Sequence, residues 1–136
     1  MPYSGGYPEG QGLKWVRGRY DFAVDGGATG TIAITSEKIP SGAIILGGVL
    51  EVDTALASGG SATVAVKVEG AADTIAVTAF DASPWSSTGR KSVIPAFTGA
   101  ASLKTTAARD ISVVIAAAAL TGGVFDVMLA YIAMGD

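Results

Sequence analysis

The sequence predicts an all-β fold, an antiparallel β-sandwich or jelly roll of about eight strands behind an extended N-terminal arm. Three observations carry this prediction. Apolar and polar residues alternate at period two in segment after segment, as half-buried strands require. Nineteen glycines, many of them in clusters such as Asp25-Gly26-Gly27 and Pro40-Ser41-Gly42, interrupt those segments where turns need them. No long segment reads as a helix.

Residues 1–13, MPYSGGYPEGQGL, form the arm, because two prolines and four glycines leave no room for helix. Residues 14–136 read as one domain with no linker inside it. In RGRYDFAV, Tyr20, Phe22 and Val24 share one face, and Asp25-Gly26-Gly27 is expected to turn the chain into GTIAITSEKI. AIILGGVLEVD follows, and its paired Gly47-Gly48 predicts a bend or bulge. Thr54 to Gly60 reads as a connection. TVAVKVE, with Val64, Val66 and Val68 facing inward, is the cleanest strand. Gly70-Ala71-Ala72-Asp73 turns into TIAVTAF, and SVIPAF carries Pro95, which points to an edge or a bulge.

The segment ending in Ile111–Leu120 holds four consecutive alanines, good helix formers. Its alternating β-branched residues favour strand, with Thr121-Gly122-Gly123 as the turn that follows. The last strand, VFDVMLAYIAM, is apolar on both faces and therefore wants a central sheet position or an interface.

Composition excludes several functions. Cysteine and histidine are absent, so disulfides, thiolate chemistry and His-dependent acid–base or zinc sites are closed. The net charge of −3 and the scattered basic residues give no reason to expect nucleic acid as a partner. The longest apolar run, Val113 to Leu120, is far too short to cross a bilayer, and the first twenty residues lack the apolar stretch of a secretory signal. No membrane partner, cofactor or metal is expected.

Candidate catalytic features reduce to structure. Glu51 and Asp53, two apart on one strand face, read as a solvated face rather than as a glycosidase pair. The DGGATGT stretch lacks the lysine and helix of a phosphate loop and reads as a hairpin turn. Ser102 and Lys104 have no third group to make a nucleophile. The chain is therefore not expected to be an enzyme.

Contact residues stand out more. Tyr3, Tyr7 and Leu13 are anchors along the arm. Lys14, Trp15, Arg17 and Arg19 mix aromatic and cationic groups as interface cores do. Trp85, beside Pro84, is either an exposed anchor for a glycan or protein or a side chain folded back over one end of the sandwich.

Two stretches, GGSATVAVKVEGAADTIAVTAF and KTTAARDISVVIAAAALTGGVFDVMLAYI, resemble head-decoration (capsid-cement) proteins of tailed bacteriophages. The similarity runs from Ile44 to Ile132. It implies an all-β structural protein of the virion, often a homotrimer, bound to the outer surface of the capsid with the major capsid protein as partner. It also implies contact through the arm, Pro2 to Leu13, where the sequence departs most from that group. The alternatives are a tail-tube or head-fibre protein and a carbohydrate-binding β-sandwich module.

Overall fold

A computed structural model describes residues 12–35, 37–93 and 103–133. In chain order the elements are β1 (Leu13–Asp21), a helical turn α1 (Phe22–Asp25), β2 (Gly30–Ala33), β3 (Ala43–Ser58), β4 (Thr63–Lys67), β5 (Ile75–Ala79), β6 (Gly89–Val93), β7 (Ser112–Ala116) and β8 (Leu120–Ala133). They pair antiparallel in two four-stranded sheets, sheet A in the order β1-β8-β3-β6 and sheet B in the order β2-β7-β4-β5. One apolar core joins their inner faces, with Tyr20, Leu50 and Val127 from sheet A and Val64, Val66, Val113 and Ile115 from sheet B. The expected β-sandwich is the observed one, and β8 takes the central place that its two apolar faces require.

Several boundaries differ from the sequence reading, each for a local reason. β1 begins at Leu13 rather than Arg17 and ends at Asp21. There the Asp21 carboxylate accepts from the Ala23 N–H at 3.0 Å, while Asp25 accepts from the Asp21 N–H at 2.9 Å. Those bonds wind Phe22–Asp25 into a turn of helix, so Val24 leaves the inward row and is 80% exposed. The glycine-rich stretch after it does not close a hairpin; it carries the chain from sheet A to sheet B. β3 continues through Thr54 to Ser58, where a connection was expected.

The turn placed at Thr121–Gly123 instead falls at Ala117–Ala119, where Ala117 takes a left-handed conformation (φ 70°). Gly123 lies within β8 at φ 134° against Leu56, with no room for a side chain. The Gly47-Gly48 bulge is as expected: β3 slips register against β8 between Ile45 and Gly47. Strand β6 takes in Ser92 and Val93, the first two residues of SVIPAF; the rest of that stretch, with Pro95, and Ser102 lie outside the described residues.

Trp85 is fully buried, which corrects the exposed-anchor reading and supports its alternative. The loop after β5 folds back because the Leu56 N–H donates to the Trp85 carbonyl at 3.2 Å and the Trp85 N–H donates to the Ala82 carbonyl at 2.9 Å. The indole meets the Phe125 ring at 4.9 Å between centroids, and Phe125 stacks on Tyr20 at 5.3 Å. Burial pushes the Tyr20 phenol up to about 12, with Asp25 and Asp21 adding to the effect. It therefore stays a donor to the Gly26 carbonyl at 2.6 Å.

The polar residues around Asp73 and Thr105 form hydrogen-bonded junctions. Asp73 accepts from the N–H groups of Val68, Glu69 and Gly70 and so sets the β4–β5 turn. Thr105 bonds the start of β3, its hydroxyl accepting from Ala43 N–H and donating to the Pro40 carbonyl. Glu69 accepts from Arg109 at 2.8 Å and from the Thr106 hydroxyl at 2.6 Å. Arg109, then Thr106, hold its carboxyl down at about 2.

Two predictions follow from this packing. Trp85→Ala removes the aromatic lid of the core and should lower unfolding free energy by about 3–5 kcal/mol in urea titrations. A carboxyl whose pKa folding lowers stabilises the native state above its ordinary value of 4.5 and loses that contribution as pH falls towards about 2. In thermal melts the advantage of wild type over Glu69→Gln should therefore be full at neutral pH and shrink across that acid window. An advantage that does not change with pH would contradict the Glu69–Arg109–Thr106 assignment.

Candidate docking face

The outer face of sheet A departs from the polar surface usual for a sandwich. Cross-strand register puts Leu13 beside Ile132 and Ile44, Trp15 beside Ala130 and Gly47, and Arg17 beside Met128 and Val49. The next row on the same face is Arg19, Asp126, Glu51 and Arg90. Side chains two apart on a strand share a face, so these rows divide one surface into an apolar half and a charged half.

The apolar half is open. Leu13 is 55%, Trp15 58% and Leu46, at the β3 bulge, 46% exposed. Met128, Ile132, Ile44 and Val49 beside them are half-buried. Clustered large exposed apolar side chains on one face mark a contact surface more often than chance scatter does.

The charged half is balanced within itself. Asp126 is almost fully buried, although it sits on the outer side of β8. Arg17 donates to one of its oxygens at 3.0 and 3.2 Å, and Arg19 donates to the other at 2.8 Å. Arg19 also reaches Asp53 at 3.1 Å, and Arg90 lies 3.6 Å from Glu51. Asp53 first, and Asp126 after it, raise the pKa of the Arg19 guanidinium. Glu51, Asp53 and Asp126 can each bring an oxygen within 4.8 Å of the others. Each of these carboxylates already faces an arginine, so the cluster reads as an ion-pair network and not as a cation site.

Of the residues singled out from the sequence, Leu13, Trp15, Arg17 and Arg19 come together on this face. Lys14 falls on the opposite parity, beside Tyr131. Tyr3 and Tyr7 lie outside the described residues. Trp85 contributes nothing to any surface, and a glycan platform built on it is not available. Sequence reasoning missed Asp126, Met128, Val49 and Leu46. The one signal for them was an aspartate in the middle of the apolar run VFDVMLAYI, which needed a cationic neighbour strand to make sense.

Among the described residues no convergent catalytic group appears. A cleft of about 250 Å³ between the ends of β4 and β5 is lined by Gly60, Ser61, Ala62, Ala79, Phe80 and Asp81, too little chemistry for an active site.

No protein-family model matches the chain, and no curated protein matches it in sequence. Solved structures do match. A chain of the cyanophage Pam1 capsid asymmetric unit is 19% identical, with a TM-score of 0.63 over 97% of this chain and 92% of that one. A chain of the Ralstonia phage GP4 capsid is 18% identical, with a TM-score of 0.63 over 98% and 93%. A chain of the acid-stable capsid of Helicobacter pylori bacteriophage KHP30 is 15% identical, with a TM-score of 0.58 over 88% and 86%. The chain shares its fold with chains of phage capsids.

The Asp126 network separates two kinds of ion pair. Asp126→Ala strands two guanidinium groups beside a covered site and should cost about 1–2 kcal/mol after allowance for solvent screening. Asp53→Ala, on an open pair, should cost no more than about 0.5 kcal/mol. Chemical denaturation of the two variants measures both, and equal losses would refute the distinction.

Proposed function

We propose that this chain is a structural protein of a bacteriophage virion that decorates and stabilises the assembled capsid by binding its outer surface. The observation that carries the reading is the likeness of nearly the whole chain, 97% and 98% of it in two cases, to chains from phage capsid assemblies. The candidate face supports it. An apolar half flanked by self-neutralised charge can meet a protein surface without a large electrostatic penalty.

The major capsid protein is the partner in this reading, and the chain acts as a homotrimer. Contact runs through the outer face of sheet A, with Trp15, Arg17 and Arg19, and through the arm that carries Tyr3 and Tyr7. Repetition suits such a part. When several copies engage one shell, modest single contacts combine into avidity two to four orders of magnitude, roughly, above any one of them.

Cosedimentation with phage heads that lack the protein tests the proposal. Saturable binding is expected, together with about a tenfold loss of affinity for Trp15→Ala, the size of a central aromatic contact. No saturable binding by the wild-type chain would overturn the decoration reading. Wild-type affinity in Trp15→Ala would move the contact off this face.

A further inference from the structure

We propose that the capsid surface met by the outer face of sheet A carries no charge, being apolar opposite Trp15 and neutral but hydrogen-bonding opposite the arginines. The inference rests on the decoration reading and adds to it the chemistry of the partner. It starts from the way the arginines of this face are already engaged.

A row of free guanidinium groups would select an acidic partner, and here none is free. Arg17 donates from Nε and Nη2 to one oxygen of Asp126, at 3.2 and 3.0 Å. Arg19 donates from Nη1 to the other oxygen at 2.8 Å and to Asp53 at 3.1 Å. Arg90 lies 3.6 Å from Glu51. Asp21, on the same parity of β1, accepts from the Ala23 N–H. Lys14 and Lys91 fall on the opposite parity of their strands. Among the described residues, every cation of the face therefore has a carboxylate of its own chain beside it.

Size brings these ion pairs into the contact. The apolar half runs about 13 Å along β1 from Leu13 to Arg17 and about 10 Å across from β1 to β3, roughly 130 Å² in outline. A stable protein contact takes about 800 Å² from each partner. A contact centred on Trp15 therefore spreads over the adjoining rows of Arg17, Arg19 and Asp126. A carboxylate brought against those rows would meet Asp126 and Asp53 as well as the arginines, and a cation would meet three guanidinium groups. Hydroxyl, amide and backbone groups can use the N–H and lone-pair capacity that remains without leaving a buried charge unpaired.

This gives Asp126 a role as a positioning residue. Among the described residues it is the one carboxylate paired with Arg17, whereas Arg19 also has Asp53. The Arg17 side chain is 61% exposed and sits in the row that borders the apolar half. Without Asp126 it would stand in the contact as an uncompensated charge.

The test is the salt dependence of binding to phage heads that lack the protein. Between about 0.05 and 0.5 M NaCl the screening length falls from about 14 to about 4 Å, and the wild-type dissociation constant should change by less than about threefold. Saturable binding that weakens about tenfold or more at the higher salt would overturn this inference and leave the decoration reading standing. No saturable binding at either salt would overturn both. A pair of variants, assayed below their melting temperatures, reads the same point by sign. Asp126→Asn frees the Arg17 charge and should weaken binding about tenfold, and adding Arg17→Gln should recover most of that loss. An acidic capsid patch would reverse both signs, so unchanged or tighter binding by Asp126→Asn overturns the proposal. The wild-type salt series decides the matter even if Asp126→Asn does not fold.

Discussion

The pairing of β8 between β1 and β3 is the constraint on which the rest of this molecule depends. β8 is fourteen residues long and matches β1 along the whole of that strand. Alternate residues of β8 serve opposite purposes. Phe125, Val127, Leu129 and Tyr131 point into the sandwich. Asp126, Met128, Ala130 and Ile132 form the floor of the outer face. A one-residue slip would exchange the two sets, putting a carboxylate in the core and a phenyl ring outside. The aromatic chain Tyr20–Phe125–Trp85 and the Arg17–Asp126–Arg19 network are both anchored on neighbouring residues of this one strand.

The loops follow from the same frame. Trp85 closes one end of the core because Phe125 offers it a ring face and Leu56 of β3 offers a backbone donor to its carbonyl. The segment before β7 is held by polar groups instead, with Thr105 on the start of β3 and Arg109 on Glu69. Such junctions do little for gross burial. They fix where irregular backbone lies, since its polar groups need partners away from water.

The fold class was legible because alternation survives in TVAVKVE and ISVVI regardless of neighbours, and the two apolar faces of VFDVMLAYI mark a central strand. Boundaries were less so. Asp21 and Asp25 turn the end of β1 into helix through hydrogen bonds that no hydrophobic pattern registers. The Thr121-Gly122-Gly123 triplet has turn composition, yet Gly123 is there because Leu56 presses on the backbone. Trp85 could not be placed, because its burial depends on Phe125, forty residues further on. Half of the candidate face was visible in LKWVRGR, a single strand that alternates outward Leu13, Trp15, Arg17 and Arg19. The other half is spread over β3 and β8 and becomes one surface only when the register is known. Lys14 looked equivalent to its neighbours in the sequence and is separated from them by parity alone.

In the proposed function, the outer face of sheet A is the surface that attaches to the capsid. A cryo-EM reconstruction of phage heads saturated with the protein tests it most directly. Density for the sandwich is expected on the outer surface, with sheet A towards the shell and Trp15, Arg17 and Met128 at the contact. Density with sheet B and Val77 against the shell, or heads that carry no added density at saturation, would contradict it.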